Sequence, residues 1–381
     1  LLQCVQHLVD TGTLSLKHEF YLQRLLDLGI VSKAGRAEIE SLLGPREYAQ
    51  KEHQQSLLEK TGPPEAKPKN RDVRGPSLQE KARLACFLYA GGLSMQLLAT
   101  LFMVCKGTIH NWIYKFATVE LESKIIESIR RWSGRVSCDE KWVKIQGVWW
   151  YVFCAVDDVT GFPLLLRLYP ANEGLSWQLF FTEFKALYGV PNLIISDGSQ
   201  SLAAGKRKVF WGVVHQLCKF HKLRNLFKRM FEHIKKDKLL KRCIRLAKNI
   251  FSNGHVSSRK YAARTLAKKA PEAVKNYVEK NILGHWRRLS RSLTSNSAER
   301  FNRKIQKCFS GRYGIKSAKS AEVLLRSLWF QECVMNGQQH FDALDEFDAQ
   351  KIAEICQETL LCPENLHFLE PEVSQTTRKA A

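Results

Sequence analysis

Apolar residues recur at helical spacing through the first part of the chain. Residues 1–60 predict a region of short amphipathic helices, one over 19–28 that ends at Gly29 and one that follows the capping residue Ser32 and runs to Leu43. Residues 61–76 are rich in proline and charge, which predicts a linker. We therefore expect a helical region that is separated from the chain that follows it.

Three more helical segments are predicted between residues 77 and 120. They span 78–89, 95–102 and 108–116, with breaks at Gly91-Gly92 and at 104–106. Two helices joined by a tight turn after a stabilising helix are typical of a helix-turn-helix DNA-binding domain, although a plain three-helix bundle has the same pattern. The polar residues outside the apolar stripe, which would contact DNA, are Lys106, Thr108, His110, Asn111 and Lys115.

The period of the pattern changes from helical to strand-like at residue 135. Segments 136–145, 148–156 and 162–169 are aromatic and β-branched, and turns separate them, so they predict an antiparallel three-stranded meander. A helix over 176–187, a buried strand at 192–196, a helical crossover and a fifth strand at 211–215 follow. This order predicts an α/β fold with a mixed five-stranded sheet, and it matches the ribonuclease H-like fold.

A strongly basic helical segment occupies residues 222–285. Apolar residues recur between its lysines and arginines, so we expect amphipathic helices with one solvated, positively charged face. Such a face is often only surface, but the density of one sign favours contact with phosphate groups.

The charge of the whole chain points to a polyanionic partner. Its 381 residues include 59 Lys and Arg against 37 Asp and Glu, a net charge of +22. DNA is the first candidate, and a membrane surface is disfavoured because the sequence has no long uncharged apolar run and no signal-peptide pattern. Eleven irregularly spaced cysteines without a Cys-x-x-Cys pair indicate free thiols in the cytoplasm, close to the nucleoid, or in the nucleus of a eukaryote.

Three acidic residues stand at positions suited to metal binding. Asp139 lies within an otherwise buried strand, and Asp197 follows another buried strand, beside Gly198. Glu299 falls in the first turns of a helix, on one face with Asn296. Each has an ordinary alternative, because Asp139 could pair with a lysine, Asp197 could cap a helix, and acids commonly occur at helix starts.

Taken together, these residues resemble the DDE transposases. The family's order is an Asp on the first strand, Ser196-Asp197-Gly198 after the fourth, and Asn296-x-x-Glu299 on a late helix. The long interval before Glu299 is similar to the helical insertion of Mutator-like transposases, and Cys218-x-x-His221 is similar to their signature after the second Asp. Residues 314–329 resemble their closing helix, while 139–151 are also similar to bacterial insertion-sequence transposases outside that group.

The resemblance implies a ribonuclease H-like catalytic domain over 130–335, with its helical insertion at 222–285 and a helical tail at 336–381. Asp139, Asp197 and Glu299 would hold two Mg²⁺ or Mn²⁺ ions, while Cys218, His221 and Asn296 would support them. The chain would cleave the ends of a mobile element and join them to target DNA as a homodimer or larger assembly. The residues that would position phosphates are Lys219, Lys222, Arg224, Lys228, Arg229 and Arg300.

Several alternatives stay open at this point. Asp157 or Asp158 could replace Asp139, although both read as turn residues, and Glu140 should face away from Asp139. Glu173 and Glu183 have no motif support, and His215, Cys218 and His221 lack the fourth ligand of a structural zinc site. The function could instead be that of a ribonuclease H-fold nuclease or resolvase, a non-catalytic transposase-derived DNA-binding protein, or a structural nucleic-acid-coating protein.

Overall fold

The computed structural model describes residues 22–23, 26, 33–43, 76–129, 131–252, 254–289, 295–310, 312, 314–336 and 348–360. The linker predicted at 61–76 therefore lies outside the described residues except for Pro76, and so does most of the region predicted at 1–60. Within that region, helix α1 (Lys33–Leu43) is present where the sequence predicts it, and Ile39 packs with Leu22 and Leu26.

Four more helices lie before the sheet, within the described residues 76–129. They are α2 (Leu78–Ala90), α3 (Met95–Leu101), α4 (Lys106–Phe116) and α5 (Val119–Ser128). Ser77 and Glu80 form a capping box at the start of α2, and Ser94 caps α3, which explains where these helices begin. The three predicted helices are confirmed, whereas α5 was not predicted.

These helices pack on the core of the sheet. Leu84 and Ile109 belong to the same buried apolar cluster as Val152 of the sheet. The Tyr114 hydroxyl donates a hydrogen bond to Ser320 Oγ at 2.7 Å, across a long stretch of sequence. The division of the chain into a helix-turn-helix domain and a catalytic domain stays a prediction, since the two segments share one core.

The sheet has five strands in the order β3-β2-β1-β4-β5. Strands β1, β2 and β3 form the predicted antiparallel meander, while β4 pairs with β1 and β5 pairs with β4 in parallel. The mixed α/β sheet is thus confirmed. The strands are β1 (Arg135–Ile145), β2 (Val148–Asp157), β3 (Pro163–Tyr169), β4 (Leu193–Ser196) and β5 (Val214–Leu217).

The position predicted for the fifth strand is wrong. That strand was expected at 211–215, but β5 covers Val214–Leu217. Trp211 is 84% exposed and Gly212 lies in a turn, so the apolar residues that suggested a strand belong to a loop. The shift carries Gln216 and Leu217 into the sheet and places Cys218 directly after it.

Helices cover both faces of the sheet. On one face lie α6 (Gly174–Tyr188) and α7 (Gln200–Val209), where Trp177 stacks on Phe153 of β2 with ring centroids 4.0 Å apart. On the other lie α12 (Asn296–Ser310) and α13 (Ala318–Asn336), where the Trp329 indole donates to the Pro163 carbonyl at 2.9 Å. Helix α14 (Ala349–Leu360) is the described part of the predicted helical tail.

The helical insertion has a core of its own. It comprises α8 (Lys219–His233), α9 (Asp237–Ile250), α10 (Val256–Lys269), α11 (Glu272–Tyr277), a π-helical turn (Val278–Leu283) and a 3₁₀ turn (Trp286–Arg288). Leu226, Met230 and Leu266 belong to a second buried cluster, separate from that of the sheet. Buried Arg259 donates to the carbonyls of Ile250 and Leu289 and so ties two helices to the end of the insertion.

Within the described residues, none of the helices is both long enough and apolar enough to cross a membrane.

The closest approach of α6 and α7 depends on a glycine. A Cβ at Gly205 would lie 2.5 Å from Trp177 Cβ and 2.7 Å from the Gln178 nitrogen. We expect Gly205→Ala to lower the free energy of unfolding by about 1–3 kcal/mol, measured by urea denaturation. Gly212→Ala is the control, because nothing lies within 4 Å of the Cβ it would add. Equal denaturation midpoints for the two variants would contradict this packing.

Candidate active site

The parallel pairing of β1 and β4 brings two of the predicted acids together. Ser137 pairs with Ile195, so two residues further along each strand Asp139 lies beside Asp197. Asp139 Oδ2 accepts a hydrogen bond from Asn302 Nδ2 at 2.8 Å, and Asp197 Oδ1 accepts one from the Ser199 amide at 2.8 Å. Both carboxylates are therefore held in place, Asp139 in the middle of β1 and Asp197 directly after the end of β4.

Electrostatics at this edge disfavour negative charge. Burial and, second to it, the negative charge of Asp197 raise the pKa of Asp139 from 3.8 to about 6. Two carboxylates that repel each other in a partly buried place are stabilised by a divalent cation, and carboxylate oxygens are the ligands that Mg²⁺ and Mn²⁺ prefer. The donor set and its charge thus fit a metal ion.

Gly198 keeps the backbone next to Asp197 close to β5. Its φ is +89°, and a Cβ there would lie 2.6 Å from Leu217 Cδ2. A side chain at this position would therefore be strained and would clash, as expected for a glycine beside a candidate ligand site.

Helix α12 connects the third predicted acid to the first. Glu299 lies in its first turn and accepts a hydrogen bond from Ser295 Oγ at 3.2 Å. Asn302, one turn later on the same face, is the residue that contacts Asp139. Asn296, predicted to support the site, has an exposed side chain. The contact that this helix makes with Asp139 comes from Asn302 instead.

Glu299 also belongs to a compact cluster with two residues of the Cys-x-x-His motif. The ligand atoms of Cys218, His221 and Glu299 all lie within 4.8 Å of one another, and within the described part of the chain no other His, Cys, Asp and Glu group is this close. The carboxylate oxygens of Asp139, Asp197 and Glu299 therefore do not all lie within 4.8 Å of one another. The amide of Ser295 donates to Cys218 Sγ at 3.3 Å, which fixes the thiol.

His221 carries positive charge among the acids. Its hydrogen bond with Cys218 raises its pKa to about 9 against the opposing effect of burial, and the charges of Glu299 and Asp197 act in the same direction. Its Nδ1 lies 3.5 Å from Glu299 Oε1, and its charge in turn lowers the pKa of Asp139. Burial would raise the pKa of the Cys218 thiol, but hydrogen bonds with His221 and Ser295 together lower it.

Glu299 joins Cys218 and His221 as a possible zinc ligand, but the described residues supply no fourth. His215 Nε2 lies 2.7 Å from Ser196 Oγ, and its Nδ1 lies 2.5 Å from Arg288. Burial and the charge of Arg288 lower the pKa of His215 to about 3. His215 is thus engaged elsewhere, and Cys218, His221 and Glu299 fall one ligand short of a structural zinc site.

The competing acids have structural partners. Asp157 pairs with Val136 at the start of β1, and its carboxylate accepts hydrogen bonds from Ser133 and the Val159 amide. Asp158 Oδ2 lies 2.5 Å from Arg135. Asp157 is the last residue of β2, not a turn residue as predicted, and Asp158 lies in the turn that follows it.

Glu183 and Glu140 lie on the face covered by α6 and α7. Glu183 forms a buried ion pair with Arg167 at 2.5 Å. Glu140 Oε1 accepts a hydrogen bond from Asn172 at 2.9 Å, and Asn172 in turn accepts from Trp177. Glu140 thus faces away from Asp139, as predicted. Glu173 precedes α6 as its N-cap residue.

The predicted basic residues fall into two groups. Lys219 and Lys222 are half-buried, and burial lowers the pKa of both, while the nearby charge of Asp197 acts in the opposite direction on Lys222. Lys222 therefore lies close to the acids. The exposed group is Arg224, Lys228, Arg229 and Arg300. In α4, Lys106, His110, Asn111 and Lys115 are exposed and Thr108 is half-buried.

Residues 164–330 match the family described as Transposase, Mutator family. This match supports a Mutator-like transposase. The match includes Asp197, Cys218, His221 and Glu299, whereas Asp139 and the helices before the sheet lie outside it. A search of curated proteins found no match to the chain. The family supports a transposase function, which implies DNA as a partner.

The buried carboxyl group of Glu140 gives a test of the site's electrostatics. Burial, followed by the charges of Asp139 and Asp197, raises its pKa from 4.5 to about 7. The folded state therefore binds this proton more tightly than the unfolded state, and stability falls as pH rises from about 4.5 to about 7. We expect Glu140→Gln to be more stable than the unsubstituted chain by up to about 3 kcal/mol at pH 8 in chelator, and not at pH 4.5. A stability difference independent of pH would contradict this.

Proposed function

We propose that this transposase is a DDE enzyme with a ribonuclease H-like catalytic domain, in which Asp139, Asp197 and Glu299 hold two divalent metal ions. The observation that carries the proposal is the parallel register that sets Asp139 beside Asp197, with α12 joining Asn302 on Asp139 to Glu299 one turn earlier. Mg²⁺ or Mn²⁺ suits these oxygen ligands.

The position of each acid indicates which ion it would hold. Asp139 stands between Asp197 on the neighbouring strand and the helix that carries Glu299, so we assign it to both ions, Asp197 to one and Glu299 to the other. When bound, two such ions activate an oxygen nucleophile and stabilise the leaving oxygen of a phosphodiester.

The reaction proposed is a pair of in-line displacements at phosphorus. Water attacks a phosphodiester at the element's end and the 3′-oxygen leaves, taking a proton to become a hydroxyl. That 3′-hydroxyl then attacks a phosphodiester of target DNA and displaces its 3′-oxygen. No covalent bond to the protein forms in either step, so the chain needs no nucleophilic side chain.

Residues around the acids would orient the reactants. His221, held by Cys218, lies against Glu299 and would fix the direction of that carboxylate. Lys222 lies close to Asp197 and would hold a phosphate near the reaction, and Lys219, directly after Cys218, would assist it. The exposed basic residues of α8 and Arg300 would hold the backbone further away. The exposed side chains of α4 would contact the element's ends as the second helix of a helix-turn-helix. Pairing two ends requires a homodimer or a larger assembly.

Two other functions share part of this site. A nuclease or resolvase of the same fold would use the same acids for cleavage but would not join strands. A transposase-derived protein that only binds DNA would not need the acids. The buried, mutually repelling pair favours catalysis over binding alone, because an ionised carboxylate in such a place is costly without a cation.

Strand transfer on a labelled element end with Mg²⁺ tests the proposal. We expect Asp139→Asn, Asp197→Asn and Glu299→Gln each to reduce joining by about 100-fold or more, since metal ligands contribute several kcal/mol to the transition state. Glu272→Gln is the control, because that side chain is 72% exposed on the insertion. Joining at the unsubstituted rate by the acid variants would exclude the assignment, and cleavage without joining by the unsubstituted chain would favour a nuclease.

A further inference from the structure

The hairpin of β1 and β2 presents aromatic rings to solvent. Trp142 pairs with Tyr151 and Lys144 pairs with Trp149, so these four side chains share one face of the sheet. Trp142 is 56% exposed and Trp149 is 48% exposed. Large aromatic side chains are normally buried, so two adjacent exposed tryptophans mark an interaction surface. We call Trp142, Lys144, Trp149 and Tyr151 the aromatic face of the hairpin.

The opposite face of the same hairpin is packed along most of its length. Val143, Ile145 and Trp150 are each less than 5% exposed. The amide of Gln146 in the turn donates to the Ile315 carbonyl at 2.9 Å, and Lys141 Nζ donates to Gln306 of α12 at 2.7 Å. The aromatic face is therefore carried by a strand pair anchored along its length, not by a loose loop.

The rings are pre-arranged. Trp142 lies edge-to-face with Trp149, with centroids 6.0 Å apart, and edge-to-face with Tyr151, with centroids 5.7 Å apart. Lys144 Nζ lies 4.8 Å from the centroid of the Trp149 ring. Such contacts limit the rotamers available to each ring, which lowers the entropy cost of binding a flat ligand between or upon them.

Along the strand the aromatic face is near Asp139, but it lies on the other side of the sheet. Trp142 is three residues from Asp139 on β1, about 10 Å at the rise of a β-strand, and residues an odd number apart point to opposite faces. Lys144, in a chain of net charge +22, adds positive charge beside the rings.

Aromatic rings with adjacent lysines match the chemistry of unpaired bases. Bases of intact duplex DNA stack on one another and show only their edges, so a flat ring cannot stack on them. Bases that have lost their partner expose a ring face, and stacking on aromatic side chains combined with phosphate contacts is how proteins bind single strands. The rings therefore favour a locally unpaired strand.

We propose that the aromatic face binds unpaired bases of the DNA substrate. The proposal rests on the proposed function, in that DNA is taken as the substrate. It adds that part of the bound DNA is unpaired, and that the hairpin holds the open bases.

Binding measured without catalysis tests this. Full-length protein in chelator is titrated into a fluorescein-labelled duplex with a five-nucleotide single-stranded overhang, and into a blunt duplex of equal length, with anisotropy as the readout. We expect Trp142→Leu and Trp149→Leu to weaken binding of the overhang DNA by about 5- to 150-fold each. Binding of blunt DNA should change less than about twofold. Trp142→Phe and Trp149→Phe should restore most of the affinity, because they keep a ring.

Trp211→Leu is the matched control. Trp211 is more exposed than either hairpin tryptophan, but it precedes β5, at the opposite end of the parallel strands from Asp197. This variant should bind both DNAs as the unsubstituted chain does.

Several results would overturn the proposal. Equal binding of overhang DNA by the Leu variants and the unsubstituted chain would exclude base stacking while leaving the joining reaction untouched. Loss of affinity in the Phe and Leu variants alike would also count against it. A fall in molar mass by light scattering on Trp142→Leu would show that the face joins two copies of the chain instead. Failure of the unsubstituted chain to bind either DNA would overturn this proposal and the proposed function together.

Discussion

The repulsion between Asp139 and Asp197, placed side by side on parallel strands, is the interaction to which the rest of the site responds. The register leaves no freedom to separate them, and burial raises the free energy of the charged form of Asp139. Positive charges and hydrogen bonds from elements distant in sequence stabilise these carboxylates. Asn302 comes from α12, and His221 and Lys222 come from the start of the insertion. Protonated His221 thus supplies part of the positive charge that a bound cation would supply.

The two hydrophobic cores explain how a long basic insertion can interrupt this site without disturbing it. The insertion packs its own apolar side chains around Leu226 and Met230, so its positive surface does not depend on the sheet. Only its ends must meet the sheet. At one end Cys218 and His221 lead directly out of β5, and at the other Ser295 returns to contact Cys218. The motif is thus the junction at which the insertion closes on the catalytic edge.

Sequence patterns predicted elements best where burial alternates over many residues. The meander is accurate to one residue at its ends because β1, β2 and β3 are long and their turns contain Gly147 and Gly161. Strand β5 has only four residues, and exposed Trp211 beside it gave the same apolar pattern as a strand. The meeting of Cys218 and His221 with Glu299 could be expected only from a family resemblance, since it depends on tertiary packing. The exposure of Trp142 could not be predicted at all, because an aromatic residue at an alternating position normally indicates a core.

A crystal structure with Mn²⁺ and an element-end DNA, solved with anomalous scattering, tests the central claim most directly. The account predicts anomalous density bound by oxygens of Asp139 and Asp197, with Glu299 as a ligand of one ion. Density held by Cys218, His221 and Glu299 without Asp139, or Mn²⁺ density remote from all three acids, would contradict it.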